Sequence, residues 1–249
     1  TAALADVVLP GARFAEKDGT FSNTERRVQR VRKAIDPVGN ARADWQIICD
    51  VATAMGYPMS YASPAAVFAE AASVTPSYAG ISYARLEEGG IQWPCPTAEH
   101  PGTSYLHQDK FVRGLGRFTP VEYVPPAEQT DRDYPFVLNT GRRRFHYHTG
   151  TMTQRTGALE VHCATENLEI NPADAGKLNI AEGDTVRVQS RRGQVEVKAR
   201  LTDIVPPGLV FASFHFPAVP INKLTNPSKD PICQIPELKV CSVNVEKIS

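Results

Sequence analysis

Val7-Val8-Leu9, closed by Pro10, is a short β-branched run of the kind that forms a strand buried on both faces. The charged stretch from Glu16 to Arg27 reads as a loop. From Asp44 onward Trp45, Ile48, Val51, Ala52 and Met55 recur at helical spacing, with Asp44 suited to the N-cap and Gly56 to the stop. A second helix is predicted from Ser63-Pro64 through Val67, Phe68 and Ala71, with proline at the tolerated first position. Ser73 to Pro101 mixes proline, glycine and aromatics and reads as an irregular packed loop. One strand and two helices cannot pair the edges or cover the faces of an α/β sheet. Residues 1 to about 115 therefore read as the tail of a larger α/β domain.

Residues 116 to 133 carry Pro120, Pro125, Pro126 and several acids and read as a linker. Beyond them the period changes. Phe136-Val137-Leu138 is a strand, and Asn171-Pro172 caps a short helix with Ala175 and Leu178 on one face. Thr185 to Gln189 and Val195 to Leu201 alternate as half-buried strands joined by an Arg191-Arg192-Gly193 hairpin. Leu209 to Phe214 and Val240 to Val245 are further strands. Several short strands with one small helix predict a β-barrel over residues 134 to 249, with no internal repeat.

Composition sharpens this only in part. Hydrophobic residues at 42% and charged residues at 22% are those of a globular chain. Zero net charge argues against a nucleic acid or other polyanion as the main partner, and no apolar run is long enough to span a bilayer. Cys49, Cys95, Cys163, Cys233 and Cys241 include no CxxC pair, so reduced, buried thiols are expected rather than an iron–sulfur or zinc site within the chain. The chain opens on Thr1 rather than Met, which leaves any targeting segment outside the reading.

The densest polar constellation runs from Asn139 to Thr153, directly after a strand. Gly141 and Gly150 allow close backbone approach, and Arg142, Arg143 and Arg144 offer charge-assisted bonds to phosphate. The hydroxyls of Thr140, Thr149, Thr151 and Thr153 can meet further phosphate oxygens. A diphosphate fits this inventory; a solvated basic loop is the competing reading. His146 and His148, two apart on an extended segment, would share a face, but with no third ligand nearby a hydrogen-bonding role is favoured over a metal site. Aromatic packing accounts for Phe214 and His215, turn formation for Asn222, and helix capping for Asp44. Lys17 lies in a loop after a strand, where α/β domains place ligand contacts, or is a surface lysine. Ser190, Ser213 and Ser242 lack a nucleophile elbow, and the Arg191-Arg192-Gly193 hairpin lacks flanking aromatic stacking positions.

Several stretches, in order, carry a family resemblance. They are Ala5-Asp6-Val7-Val8-Leu9-Pro10, Glu16 through Gln29, Gly90-Ile91-Gln92-Trp93-Pro94-Cys95-Pro96, Thr140-Gly141-Arg142 with His146 through Thr153, Asn222-Lys223-Leu224-Thr225-Asn226 and Pro236 through Val243. Over nearly its whole length the chain resembles the C-terminal third of formate dehydrogenase catalytic subunits of the molybdopterin oxidoreductase family, to which nitrate reductases are related. The resemblance implies an α/β plus β fold: the tail of an α/β dinucleotide-binding domain, a linker, and a six-stranded double-psi β-barrel. It implies a bis-molybdopterin guanine dinucleotide cofactor with Mo or W, one dinucleotide held mainly by the barrel.

Position by position, the resemblance assigns Thr140, Gly141, Arg142, His146, Tyr147, His148 and Thr149 to the cofactor-binding loop and Asn222 and Lys239 to later cofactor contacts. Lys17 and Asp44 match positions that touch the other dinucleotide, an aspartate being able to accept from a guanine edge. Phe214 matches an aromatic position near the substrate pocket, occupied by tyrosine in some formate dehydrogenases. Arg143 and Arg144 depart from the acidic and apolar residues often found there. The metal-ligating cysteine or selenocysteine and the cysteines of a [4Fe-4S] cluster are implied to lie upstream, so no catalytic or metal-ligating residue is expected here and the chain alone is expected to be inactive. Implied partners are the N-terminal remainder of the subunit, electron-transfer subunits carrying iron–sulfur clusters or flavin, and formate or carbon dioxide; cytoplasm is favoured over periplasm. A nitrate reductase is the alternative within the family. A non-catalytic scaffold, like the large subunit of respiratory NADH dehydrogenases, is opposed by the complete Thr140 to Thr153 loop, and an independent barrel module by the incomplete N-terminal sheet.

Overall fold

The computed structural model describes residues 2–248. They divide into two units, Thr1–Thr119 and Pro120–Ser249.

In the first unit, β1 (Gly19–Ser22) and β2 (Arg27–Val31) form an antiparallel hairpin. The Asn23 carboxamide shapes its turn by accepting the N–H groups of Glu25 at 3.0 Å and Arg27 at 2.9 Å. Helices α1 (Asp44–Ala54), α2 (Pro64–Ser73) and α3 (Tyr83–Leu86) follow, and β3 (Ile91–Gln92) adds to β2. Val28, Ile81, Leu86, Ile91 and Cys95 form the core, with Phe68, Tyr78 and Trp93 packed on it.

Several expectations are corrected here. Val7 to Leu9 is no strand and its side chains are exposed; no strand among the described residues lies beside it to take its N–H and C=O groups. The charged stretch after Glu16 is not a plain loop but holds β1 and the start of β2. Its strand character was hidden because arginines do the covering: the Arg30 guanidinium of β2 lies over the Tyr83 ring at 4.0 Å, and that of Arg26, in the turn before β2, over Trp93 at 5.8 Å. In α1 the N-cap is Ala43, not Asp44, because the Asp44 carboxylate is paired with Lys17. On that helix only Cys49 is buried, while Ile48, Val51 and Met55 are exposed. α2 begins as predicted, the Ser63 hydroxyl accepting the Ala66 N–H. The segment 73–101 read as irregular contains α3 and β3.

In the second unit, β4 (Phe136–Gly141), α4 (Gly157–Glu160), β5 (Asn167–Ile170), α5 (Pro172–Lys177), β6 (Thr185–Ser190), β7 (Gly193–Leu201), β8 (Leu209–Ser213) and β9 (Val240–Lys247) follow in turn. The strands close a barrel in the order β4-β8-β5-β7-β6-β9. β4 with β8 and β5 with β7 are parallel, and the other pairs are antiparallel. β8 runs between β4 and β5, and β7 between β5 and β6, which gives the two interlocked crossings of a double-psi barrel. Alternation dictates the interior: Leu138, Leu168, Ile170, Val186, Val188, Val210 and Val243 are all fully buried.

The Asn171 carboxamide caps α5, whose Ala175 is buried with Leu178 packed alongside. Residues 127–131, within the stretch read as a linker, lie along the barrel: Glu128 and Asp131 pair with Arg191, and Glu128 also with Arg192 at 2.7 Å. All five cysteines are free, but Cys233 is exposed and Cys163 only half-buried, against the expectation of burial. Burial pushes the Cys241 thiol up to about 11, leaving it inert. No helix among the described residues is long and apolar enough to cross a membrane.

Candidate functional site

Strand register places the predicted barrel residues at one mouth. Gly141 pairs with Ser213 at the ends of parallel strands, Asn139 pairs with Val240 at the start of antiparallel β9, and Glu169 pairs with Phe211 as β5 enters. The loop after β4, the Phe214-His215 pair after β8 and Lys239 before β9 therefore converge.

The loop is pinned from below. Glu166 is buried and accepts the backbone N–H groups of Ser213 and Asn167, each at 3.1 Å, as well as the Ser213 hydroxyl. It also pairs with Arg143 at 3.2 Å, while Glu169 takes the same guanidinium at 2.8 Å and the Asn167 carbonyl takes it at 2.9 Å. Arg143 is thus turned into the barrel wall, four hydrogen bonds from its five donors going to two carboxylates and a carbonyl.

His215, wholly buried, clasps the loop at two points: its Nε2 accepts the Arg143 N–H at 2.7 Å and its Nδ1–H donates to the His148 carbonyl. That pair of contacts fixes a neutral ring with the proton on Nδ1. The Gln154 amide donates to the His215 carbonyl, against which Gly150 (φ +73°) packs so closely that a Cβ would stand 2.5 Å from it.

His146 is also buried, with Nε2–H donating to the Cys163 carbonyl at 2.6 Å and Nδ1 accepting from the Thr153 hydroxyl at 3.0 Å. Both nitrogens are used, so its role is to hold the turn. His148 adopts φ +50°, and the two histidines do not share a strand face because the segment is a turn. The Thr140 and Thr153 hydroxyls are committed as well, Thr140 donating to the Leu238 carbonyl. Thr149 is half-buried and Tyr147 exposed. Gly141 needs its missing Cβ, whose place lies 2.5 Å from the Phe211 ring.

What the pinned loop presents is a cation–aromatic cluster. The half-buried Phe214 ring carries the Lys239 ammonium at 4.8 Å and the Arg142 guanidinium at 5.8 Å, and His148 meets it edge-on at 5.8 Å. Arg142, His148, Phe214 and Lys239 are thus brought together. Asn222 is not: it is exposed on a 3-10 turn (Ile221–Lys223) beside the start of β7. Sequence reasoning missed Glu166, His215, Gln154 and Asn226 as organising groups. Asn226 is buried and donates to Glu237 at 2.8 Å and to the Val240 carbonyl at 2.9 Å, fixing the approach to Lys239. The one signal available for these was a polar residue amid an apolar run, as with Ser213 and His215 between Phe211 and Phe216.

In the first unit Lys17 and Asp44 are ion-paired and line a cleft of about 300 Å³ with Trp45, Phe68 and Tyr83. The Lys17 ammonium holds the Asp44 carboxyl below the usual carboxylate range, by hydrogen bonding first and charge second, against the opposing effect of burial. Lys17→Met is expected to raise the Asp44 pKa toward the ordinary value, so that its charge is lost at a higher pH as acid is added. A carboxyl-carbon NMR titration in which the Asp44 midpoint is the same in Lys17→Met as in the wild type would refute the pairing. Among the described residues no three His, Cys, Asp or Glu side chains are grouped as a metal would require.

A model of the molydopterin dinucleotide binding domain matches residues 136–242, and one of molybdopterin oxidoreductase matches residues 1–54. The F420-dependent formate dehydrogenase subunit alpha of Methanocaldococcus jannaschii is 52% identical over 100% of this chain, and formate dehydrogenase H of Escherichia coli is 35% identical over 100%. The assimilatory nitrate reductase catalytic subunit of Bacillus subtilis is 38% identical over 98%. The chain spans 37%, 36% and 36% of those relatives' lengths. Among solved structures, acetylene hydratase from Pelobacter acetylenicus superposes with a TM-score of 0.71 over 99% of this chain and 39% of its own, at 17% identity, a likeness of fold alone.

Proposed function

The chain belongs to the molybdopterin oxidoreductase family, and from that premise we propose that it is the C-terminal, cofactor-holding portion of a formate dehydrogenase alpha subunit. The supporting observation at the site is the pair of cations, Arg142 and Lys239, gathered over Phe214 at the barrel mouth without a carboxylate partner among the described residues. A nucleotide diphosphate fits them: two positive charges, a loop pinned from below, and Thr149 and Thr151 left with free hydroxyls. The Asp44 carboxylate beside Trp45 suits the N–H edge of a second guanine.

In this reading the residues' work is binding and orientation. Arg142 and Lys239 neutralise a diphosphate, while His215, His146 and Glu166 keep the loop in place so that little ordering remains for binding to supply. The bound pterin–metal group supplies the two-electron redox chemistry that turns formate into carbon dioxide. The metal ligand and the [4Fe-4S] cluster belong to the remainder of the subunit, and electron-transfer subunits take up the electrons. A nitrate reductase of the same family is the second reading, and the higher identity to the formate dehydrogenase alpha subunit weighs against it.

The test is metal and nucleotide analysis of the full-length subunit purified from a host with intact cofactor synthesis. Mo or W with about two guanine nucleotides per subunit, and formate-dependent dye reduction, are expected. Absence of both metal and nucleotide would leave only a scaffold.

A further inference from the structure

We propose that Phe214 is a positioning residue whose ring gathers Arg142 and Lys239 into one diphosphate-binding pair, an inference that rests on the cofactor reading above. The two cations come from the segments preceding His146 and preceding β9, far apart in sequence, and both lie over this ring, at 5.8 Å and 4.8 Å. Like charges repel, and neither has a carboxylate among the described residues to draw it in. The ring's negative face is the attraction the structure supplies.

The ring itself is set. The Phe214 N–H reaches the Gly141 carbonyl at 3.4 Å, the next residue is the clasp His215, and the His148 ring braces it edge-on. The backbone of Lys239 is set from the other side, its carbonyl accepting the Thr140 N–H at 3.1 Å. With the ring held, both charged ends lie within 5.8 Å of its centre, two positive charges that a pair of phosphates would neutralise. Phe214 then acts through its cations and not through formate, a different role from that of a substrate-pocket aromatic.

The experiment compares Phe214→Leu, Phe214→Tyr, Lys239→Gln and the double variant Phe214→Leu/Lys239→Gln in the full-length subunit, reading the half-time of guanine-nucleotide loss from the purified holoenzyme. Phe214→Leu and Lys239→Gln are each expected to speed loss about tenfold, Phe214→Tyr to hold near wild type, and the double variant to be no worse than the poorer single. Phe214→Leu behaving as wild type, Phe214→Tyr failing with it, or a double variant losing by the product of the singles would each overturn the proposal. A wild-type subunit without guanine nucleotide would strike the cofactor reading instead. The positioning role is then read from inorganic pyrophosphate binding to the same proteins, and affinity unchanged by Phe214→Leu would overturn it.

Discussion

Replacing Glu166 by alanine is expected to cost the barrel about 3–5 kcal/mol, as breaking a buried ion pair from one side does. Its side chain is fully enclosed and that of Arg143 is 11% exposed. The carboxylate also takes two backbone N–H groups and a hydroxyl, which alanine would leave unmet. Glu169 and the Asn167 carbonyl still face Arg143, which holds the loss within that range rather than above it. Trp45 and Trp93 both lie in the first unit, so tryptophan fluorescence reports the wrong part of the molecule. Native-state amide exchange in β4, β5 and β8 is the appropriate measurement. Removing the orphaned charge as well, in Arg143→Met/Glu166→Leu, should recover much of the loss. A double variant as unstable as Glu166→Ala would mean that the carboxylate's backbone contacts, not the ion pair, carry the stability.

The barrel was legible because its signal is local. Inward Val186, Val188, Val195 and Val197 alternate with polar residues, and that period is the same before and after folding. β5 escaped because four residues, Asn-Leu-Glu-Ile, are too few to establish a period. The first unit was harder for a different reason. Val7 to Leu9 has the chemistry of a strand, but a strand exists only with a partner, and sequence pattern does not say whether one is present. β2 shows the reverse, a five-residue strand with only two apolar positions, whose Arg30 lies over the Tyr83 ring, and a hydrophobicity pattern counts it as loop. At the site, the motif located a loop at the barrel mouth but not the division of labour within it. Adjacent arginines look identical in sequence. Arg143 faces two glutamates and Arg142 faces a ring, and only the register of β5 against β8 decides which.

His215→Phe tests whether that division of labour depends on the clasp. Phenylalanine keeps the volume and the aromatic contacts with His146 and Phe214 but accepts no bond from the Arg143 N–H and gives none to the His148 carbonyl. Two backbone groups in part-buried hydrogen bonds would lose partners at about 1 kcal/mol or somewhat more each, so a destabilisation of about 2–3 kcal/mol is expected. The loss should be uneven. Barrel strands would exchange faster in proportion to the global change, whereas amides of residues 143 to 150 would lose protection beyond it, since the loop is freed before the barrel opens. His215→Asn, whose amide can still donate toward the His148 carbonyl, should fall between phenylalanine and wild type. Faster exchange confined to the strands, with the loop unchanged, would show that Gln154 and His146 hold the turn without His215. The clasp matters for function because it lies between the cation-bearing ring and the loop. A loop released at Arg143 and His148 frees the segment carrying Arg142 from its place over Phe214, and on the proposed reading cofactor retention should fall with it although neither Arg142 nor Lys239 has been changed.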